Sequence, residues 1–232
     1  MKPNVRQHPA GVVRSKIPWF ISLPRSGSNW IMGMMELYFE KPRGPLIEDH
    51  PHRAFRYWYP DGTTKDDLMW EAAHDQQGLD IQSSDSEFGD IFLYRKDVVA
   101  YCYSNCKRDK NDKRLNYFLK EYSKTMAKWL PLAKTVIAYE DMVANPEKEF
   151  RKIVKHFGQR WSKKKFAKAY AQVTKEDLVS RNPNEDKRDV MYADMLSVEY
   201  TAGRKEFRDK HAKYISKYLK DFHKKLVKKG MA

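Results

Sequence analysis

Residues 20–30 read FISLPRSGSNW. An apolar run enters a turn of small residues, and a helix-like pattern follows. A strand-loop-helix turn of this kind gathers free backbone N–H groups and a helix N-terminus at one point, which suits an anion. Gly27 lets the backbone come close, while Ser26, Ser28 and Asn29 add side-chain donors. An ordinary strand-to-helix turn with a serine cap accounts for the same residues equally well. Two neighbours tilt the balance. A nucleoside triphosphate loop carries Lys after its last Gly, followed by Ser or Thr for the metal. Here the cation, Arg25, comes before the Gly and approaches a phosphate from the other side. Trp30 can turn a flat face to a base, although core packing is the commoner fate of a tryptophan.

The elements follow outward from that loop. Residues 17–22 (IPWFIS) form a short apolar run that predicts a buried strand. Trp30, Ile31, Met34, Met35 and Tyr38 recur at helical spacing until Pro42 and Gly44. Residues 41–66 are rich in Pro, His, Gly and aromatics and are expected to be irregular and substrate-facing. Strands are expected at 68–73, 90–94 and 135–139, with a helix from about Asp97 and another over 115–130, stopped by Pro131. The next helix carries a full set of signals: Asn145 to cap, Pro146 at the first position, Glu147 and Glu149 at the positive end. Phe150, Ile153, Val154 and Phe157 then make one apolar face, closed by Gly158. Residues 205–229 alternate lysine with Tyr214, Ile215, Tyr218, Leu219, Phe222 and Leu226, as an amphipathic surface helix does. Strands alternating with helices predict an α/β fold, a central parallel sheet flanked by helices. Ligands on such sheets sit beyond the carboxyl ends of the strands, where the opening loop lies.

Bulk properties narrow the class. The chain has 232 residues, 41% apolar and 13% aromatic, enough for one folded domain. Residues 17–232 are expected to form that domain and residues 1–16 a flexible arm. The arm is polar and holds two prolines, so neither a signal peptide nor an anchor is expected, and no window is apolar enough to span a bilayer. A net charge of +14 points to anionic partners. Cys102 and Cys106 are the only cysteines and make no disulfide framework or zinc site, in keeping with a reducing, cytoplasmic setting.

The motifs resemble those of one family. Pro24 to Trp30 is similar to the 5′-phosphosulfate loop of sulfotransferases, usually Pro-[Lys/Arg]-Ser-Gly-Thr-Thr-Trp, with Ser28-Asn29 in place of Thr-Thr. The resemblance implies 3′-phosphoadenosine 5′-phosphosulfate (PAPS) as cosubstrate, its product adenosine 3′,5′-bisphosphate (PAP), and no metal. It implies that Arg25, Ser26, Gly27, Ser28 and Asn29 hold the 5′-phosphate and that Trp30 stacks on adenine. Residues 91–104 (IFLYRKDVVAYCYS) resemble the family's strand-Arg-helix-Ser element, in the shorter form Arg-x-Asp-x-Val-x-x-x-x-Ser seen in a bacterial subgroup. Arg95 and Ser104 would then grip the 3′-phosphate, with Arg95 offering a bidentate fork. Residues 135–158 are similar to the strand-Tyr-Glu-Asp-Met segment that places Tyr139 near adenine. Residues 201–207 (TAGRKEF) stand where the family has a basic Gly-containing loop, which nominates Arg204 and Lys205, although their order departs from Arg-Lys-Gly. The matches run in order from residue 17 to about 210.

Sulfuryl transfer needs an acceptor proton removed and charge on the departing phosphate neutralised. Arg25 fits the second need, and with a pKa above about 12 it does not act as an acid. His74, 21 residues before Arg95, is close to the family spacing for a general base. Glu48, Asp49, His50 and His52 compete with it. Phe55, Tyr57, Trp58 and Tyr59 are expected to wall a pocket for an unidentified acceptor, a small molecule or a carbohydrate. Two other classes remain. A P-loop kinase or NTPase shares the strand, loop and helix, with Asp141 as its carboxylate for magnesium. A basic nucleic-acid-binding protein would use the lysine-rich tail and the aromatic cluster at 55–59.

Overall fold

Short apolar runs separated by helical segments return the chain to the same end of the sheet, so neighbouring strands pair in parallel. The computed structural model describes residues 12–13, 15–44, 56–73, 80–108, 111–180 and 198–228. Its first half contains β1 (Val12–Val13), β2 (Trp19–Ser22), α1 (Ser28–Phe39), β3 (Arg43–Gly44), β4 (Trp70–Ala73), β5 (Asp80–Ile81) and β6 (Ile91–Tyr94). Then come α2 (Val98–Arg108), α3 (Leu115–Leu132), β7 (Thr135–Ala138), α4 (Tyr139–Ala144) and α5 (Pro146–His156). The chain continues through α6 (Lys163–Gln172), α7 (Lys175–Ser180) and α8 (Val198–Lys228). Five strands form one parallel sheet in the order β3-β4-β2-β6-β7, with Phe20 opposite Ile91 and Ile91 opposite Thr135.

The two faces of the sheet follow the strand period of two. Phe20, Ile91, Leu93 and Ile137 point to one side, into a core shared with Met34, Phe150 and Phe166. Trp19, Ile21 and Phe92 point to the other, against Tyr101, Leu119 and Phe207. Both faces of β2 are therefore covered, which is why its sequence is continuously apolar rather than alternating. Burying each such side chain contributes about 1.5–3 kcal/mol. The start of the sheet is tied by Asp90, whose carboxylate accepts from the N–H of Trp19 at 2.9 Å, the Ser83 hydroxyl at 2.7 Å and the N–H of Ser84 at 3.0 Å.

The parallel sheet flanked by helices is as expected, and α5 has the anticipated cap, with Asn145 Oδ1 accepting from the N–H of Lys148 at 3.4 Å. Four local expectations are corrected. The segment expected as a loose arm is fastened at its end. Val12–Val13 pair with Asp80–Ile81, Ser15 is buried, and its carbonyl accepts from the N–H of Asp85 at 3.0 Å. Helix α3 runs through Pro131 to Leu132. Proline in a last turn forfeits one hydrogen bond, and the turn is still closed by Ala133 N–H donating to the Trp129 carbonyl at 2.9 Å. Strand β7 stops at Ala138 and Tyr139 opens α4, where Glu140 and Asp141 occupy the first turn and favour its positive end. Residues 201–207 lie within α8 instead of a loop. Gly203 there packs against Tyr103, where a Cβ would come within 2.5 Å of the phenol oxygen. That glycine serves helix-on-helix approach, not loop flexibility.

No helix among the described residues is long and apolar enough to cross a membrane.

Candidate active site

The loop between β2 and α1 forms at the carboxyl end of the sheet. Leu23 N–H extends the ladder by donating to the Leu93 carbonyl at 3.1 Å, and Ser26 N–H turns back to the Leu23 carbonyl at 3.2 Å. Arg25 is the third residue of that turn and has φ 66°. Glycine or asparagine is usual at such a position, so an arginine there carries roughly 1–2 kcal/mol of backbone strain. Gly27 follows with φ 76° as the cap residue of α1, and no side chain caps that helix. The first intrahelical bond runs from Ile31 N–H to the Gly27 carbonyl at 3.2 Å. The amides of Ser28, Asn29 and Trp30 therefore lack intrahelical partners and mark the positive end of the helix. Ser26 is fully buried, and its hydroxyl has no hydrogen-bond partner among the described residues. An orphaned buried donor beside a helix N-terminus and an arginine is a set of groups that fits an anion.

Tyr139, at the start of α4, packs its ring directly on this loop. A Cβ on Gly27 would lie 2.5 Å from its Cε2. What comes close to Gly27 in this structure is thus an aromatic ring. On the ring sits the Arg95 guanidinium, 4.6 Å from the centroid, delivered by the end of β6. Glu140 sets the turn after Arg95, accepting from the N–H of Lys96 at 2.8 Å and of Asp97 at 3.3 Å, with Arg95 Nε 3.8 Å away. Tyr122 donates to the Arg95 carbonyl at 2.7 Å. Trp30 is half-buried, edge-on to Tyr139 at 6.4 Å and tilted against Tyr170 at 6.2 Å. The loop, Arg95, Tyr139 and Trp30 are therefore one cluster.

Ser104 is buried in α2, and its hydroxyl lies 2.6 Å from the Tyr200 hydroxyl at the start of α8. Arg204 and Lys205 are exposed on the second turn of α8. A different cation of that helix reaches the strand end: Arg208 pairs with Asp97, whose other oxygen caps α2 through Ala100 N–H at 3.0 Å. Asp141 is engaged by Lys96 at 2.6 Å, a pairing that a magnesium ligand would have to give up. Sequence reasoning missed Arg208, Tyr200 and Glu140, and only the acidic pair after Tyr139 was a local signal for any of them.

The candidate bases His74, Glu48, Asp49, His50 and His52, and Phe55 of the proposed wall, lie outside the described residues. Tyr57, Trp58 and Tyr59 are half-buried. The Tyr57 ring packs on Gly33 of α1, its hydroxyl meets Asp177, and the Arg56 guanidinium covers the Tyr59 ring at 4.6 Å. Beneath them is a carboxylate that sequence reasoning did not single out. Glu36 of α1 is fully buried, 3.1 Å from Arg43 Nε, and accepts the N–H of Tyr57 at 2.5 Å. Burial raises its pKa, against the opposing pull of Arg43 and the backbone donors of residues 57 and 58.

No family model matches the chain. No curated protein matches it either. Solved structures do. Retinol dehydratase in complex with androsterone and inactive cofactor PAP is similar at 12% identity and a TM-score of 0.57, over 90% of this chain and 81% of that one. Retinol dehydratase in a complex with retinol and PAP gives 11% identity and a TM-score of 0.52, over 90% and 82%. A mouse sulfotransferase complexed with PAP is 15% identical over 91% of this chain and 90% of that one, with a TM-score of 0.44. The two retinol dehydratase structures establish a shared fold.

Proposed function

We propose that this chain is a sulfotransferase that moves a sulfuryl group from PAPS to a hydroxyl or amine of an acceptor. One observation carries the reading: the buried, unpartnered Ser26 hydroxyl and the uncapped start of α1 stand with Arg25 in the loop on which Tyr139 and Arg95 converge. The relatives of this fold were solved with PAP, which supports the same nucleotide here.

PAPS supplies the activated sulfuryl group. The residues of this chain do the rest. The amides of residues 28–30 and the side chains of Ser26, Ser28 and Asn29 bind the 5′-phosphate. Arg25 offsets charge that develops on that phosphate as the sulfuryl group leaves. Arg95 and Ser104 hold the 3′-phosphate, with Tyr139 and Trp30 beside the base. Arg204 and Lys205 add cationic charge at the start of α8. His74 takes the acceptor proton, and Glu48, His50 and His52 are the alternatives for that role. Tyr57, Trp58 and Tyr59 wall the acceptor. The chain from residue 17 onward acts as one domain.

Calorimetric titration with PAP, ATP and AMP in EDTA tests the reading. Tight binding of PAP and little of the others is expected. Preference for ATP once magnesium is restored would overturn it in favour of a kinase or NTPase.

A further inference from the structure

The hydroxyls of Ser104 and Tyr200 are both buried, and their oxygens lie 2.6 Å apart, so one donates to the other. The contact belongs to a close packing of two helices. α8 runs back along α2: Arg208 meets Asp97 just before α2 begins, Phe207 and Gly203 pack on Tyr103, and Tyr200 reaches Ser104. The Tyr200 ring stands edge-on to Tyr103 at 5.0 Å. Lys107, one turn beyond Ser104 on α2, places its Nζ 5.5 Å from the centre of that ring.

Packing accounts for the ring of Tyr200. It does not call for the phenol oxygen, since phenylalanine would fill the same space against Tyr103 without burying a polar group. Two hydroxyls joined by one hydrogen bond hold two protons and use one of them. The direction of the bond decides what the pair can do. A phenol is a stronger acid than an alkyl hydroxyl, which makes Tyr200 the better donor and Ser104 the acceptor. Ser104 then keeps its own O–H for a third group. A fully ionised phosphate oxygen only accepts, so a run from phenol to serine to phosphate is polarised in one sense along its length, and its last bond is strengthened. The Lys107 charge beside the pair favours an anion at the end of that run.

We propose that Tyr200 is a positioning residue of the nucleotide site: it donates to Ser104 and thereby fixes the serine hydroxyl as a donor to the 3′-phosphate. The inference rests on the sulfuryl-transfer reading, which assigns Ser104 to that phosphate. It brings the buried first turn of α8 into the site, beside the exposed Arg204 and Lys205 of the second.

The test is PAP calorimetry and phosphorus NMR of bound PAP on the full chain, on Tyr200→Phe, on Ser104→Ala and on the double variant. Tyr200→Phe keeps the ring on Tyr103 and removes only the phenol oxygen. PAP affinity is expected to fall about three- to tenfold in Tyr200→Phe and about tenfold in Ser104→Ala. The double variant should bind no more weakly than Ser104→Ala, because Tyr200 acts through that serine. In the spectra, Tyr200→Phe should move the 3′-phosphate signal and leave the 5′-phosphate signal in place, which a general loosening of the fold would not do. Unchanged PAP affinity in Tyr200→Phe, losses that add in the double variant, or movement of both phosphate signals together would each overturn the proposal. A sharp fall in the melting temperature of Tyr200→Phe would assign the phenol to stability and overturn it too. A parent that binds PAP beside an unaffected Tyr200→Phe refutes the role of Tyr200 and leaves the transfer reading standing. A parent that does not bind PAP refutes both.

Discussion

A methyl group at residue 27 would lie inside contact distance of the Tyr139 ring, on a backbone whose φ already favours glycine. Gly27→Ala is therefore expected to cost about 2–3 kcal/mol in urea unfolding and to abolish PAP binding. Part of that stability cost should be recovered in a Tyr139→Ala background, because the clash is then removed; full additivity would show that the ring is not what the glycine accommodates. The two arginines separate by role. Arg25→Ala should remove turnover, while Arg95→Ala should mainly weaken PAP binding, by about 10- to 100-fold for the loss of a charge-assisted contact. Unchanged PAP affinity in Arg95→Ala would defeat its 3′-phosphate role. Arg95→Lys should rescue little, since a compact ammonium reproduces neither the fork nor the planar contact on Tyr139.

Among the elements, α5 offers the cleanest test of local chemistry. Its cap, its proline, its acidic first turn and its apolar stripe are all adjacent in sequence, so its reading needed no tertiary information. Asn145→Ala is expected to cost about 1 kcal/mol, a fall in melting temperature of about 2–4 °C for a domain of this size. The loop at 24–30 was legible for the same reason: turn, glycine and helix start are contiguous. Contacts across the fold were not. Arg208 and Asp97 are 111 positions apart and Ser104 and Tyr200 are 96 apart, so no spacing rule could pair them. Residues 201–207 were expected to be a loop because they stand where the resembled family has a basic Gly-containing loop. In this fold Gly203 packs within α8 against Tyr103, a tertiary contact that the motif does not contain.

At the scale of the whole molecule, stability should depend on pH through one buried histidine. His156 closes α5, its Nδ1 lies 2.9 Å from the Thr135 hydroxyl, and burial, aided by the Lys134 charge, holds its pKa down to about 4. Between pH 6.5 and 4 the unfolded chain takes up a proton that the folded chain refuses. The unfolded state is then the one that binds more protons, so stability falls as pH drops through that window and is unaffected by this group above it. By pH 4.5 the loss should be about 1–2 kcal/mol, allowing for partial solvent access. Urea unfolding at pH 7, 5.5 and 4.5 should show that part of the slope disappearing in His156→Gln. An unchanged slope would mean that another group governs the acid limb.

The buried Glu36 ties two distant stretches of the chain to α1. One carboxylate, fixed in the helix that begins at the loop of residues 24–27, holds Arg43 on one side and the backbone of Tyr57 on the other. The chain leaves the core at Arg43 and returns to it at Tyr57 on this one carboxylate. Glu36→Ala should lower the melting temperature sharply, because it removes the buried charge beside the Arg43 guanidinium and the acceptor of the Tyr57 N–H together. A single position of α1 thus sets where two distant stretches of the chain meet, so a change there is felt at both.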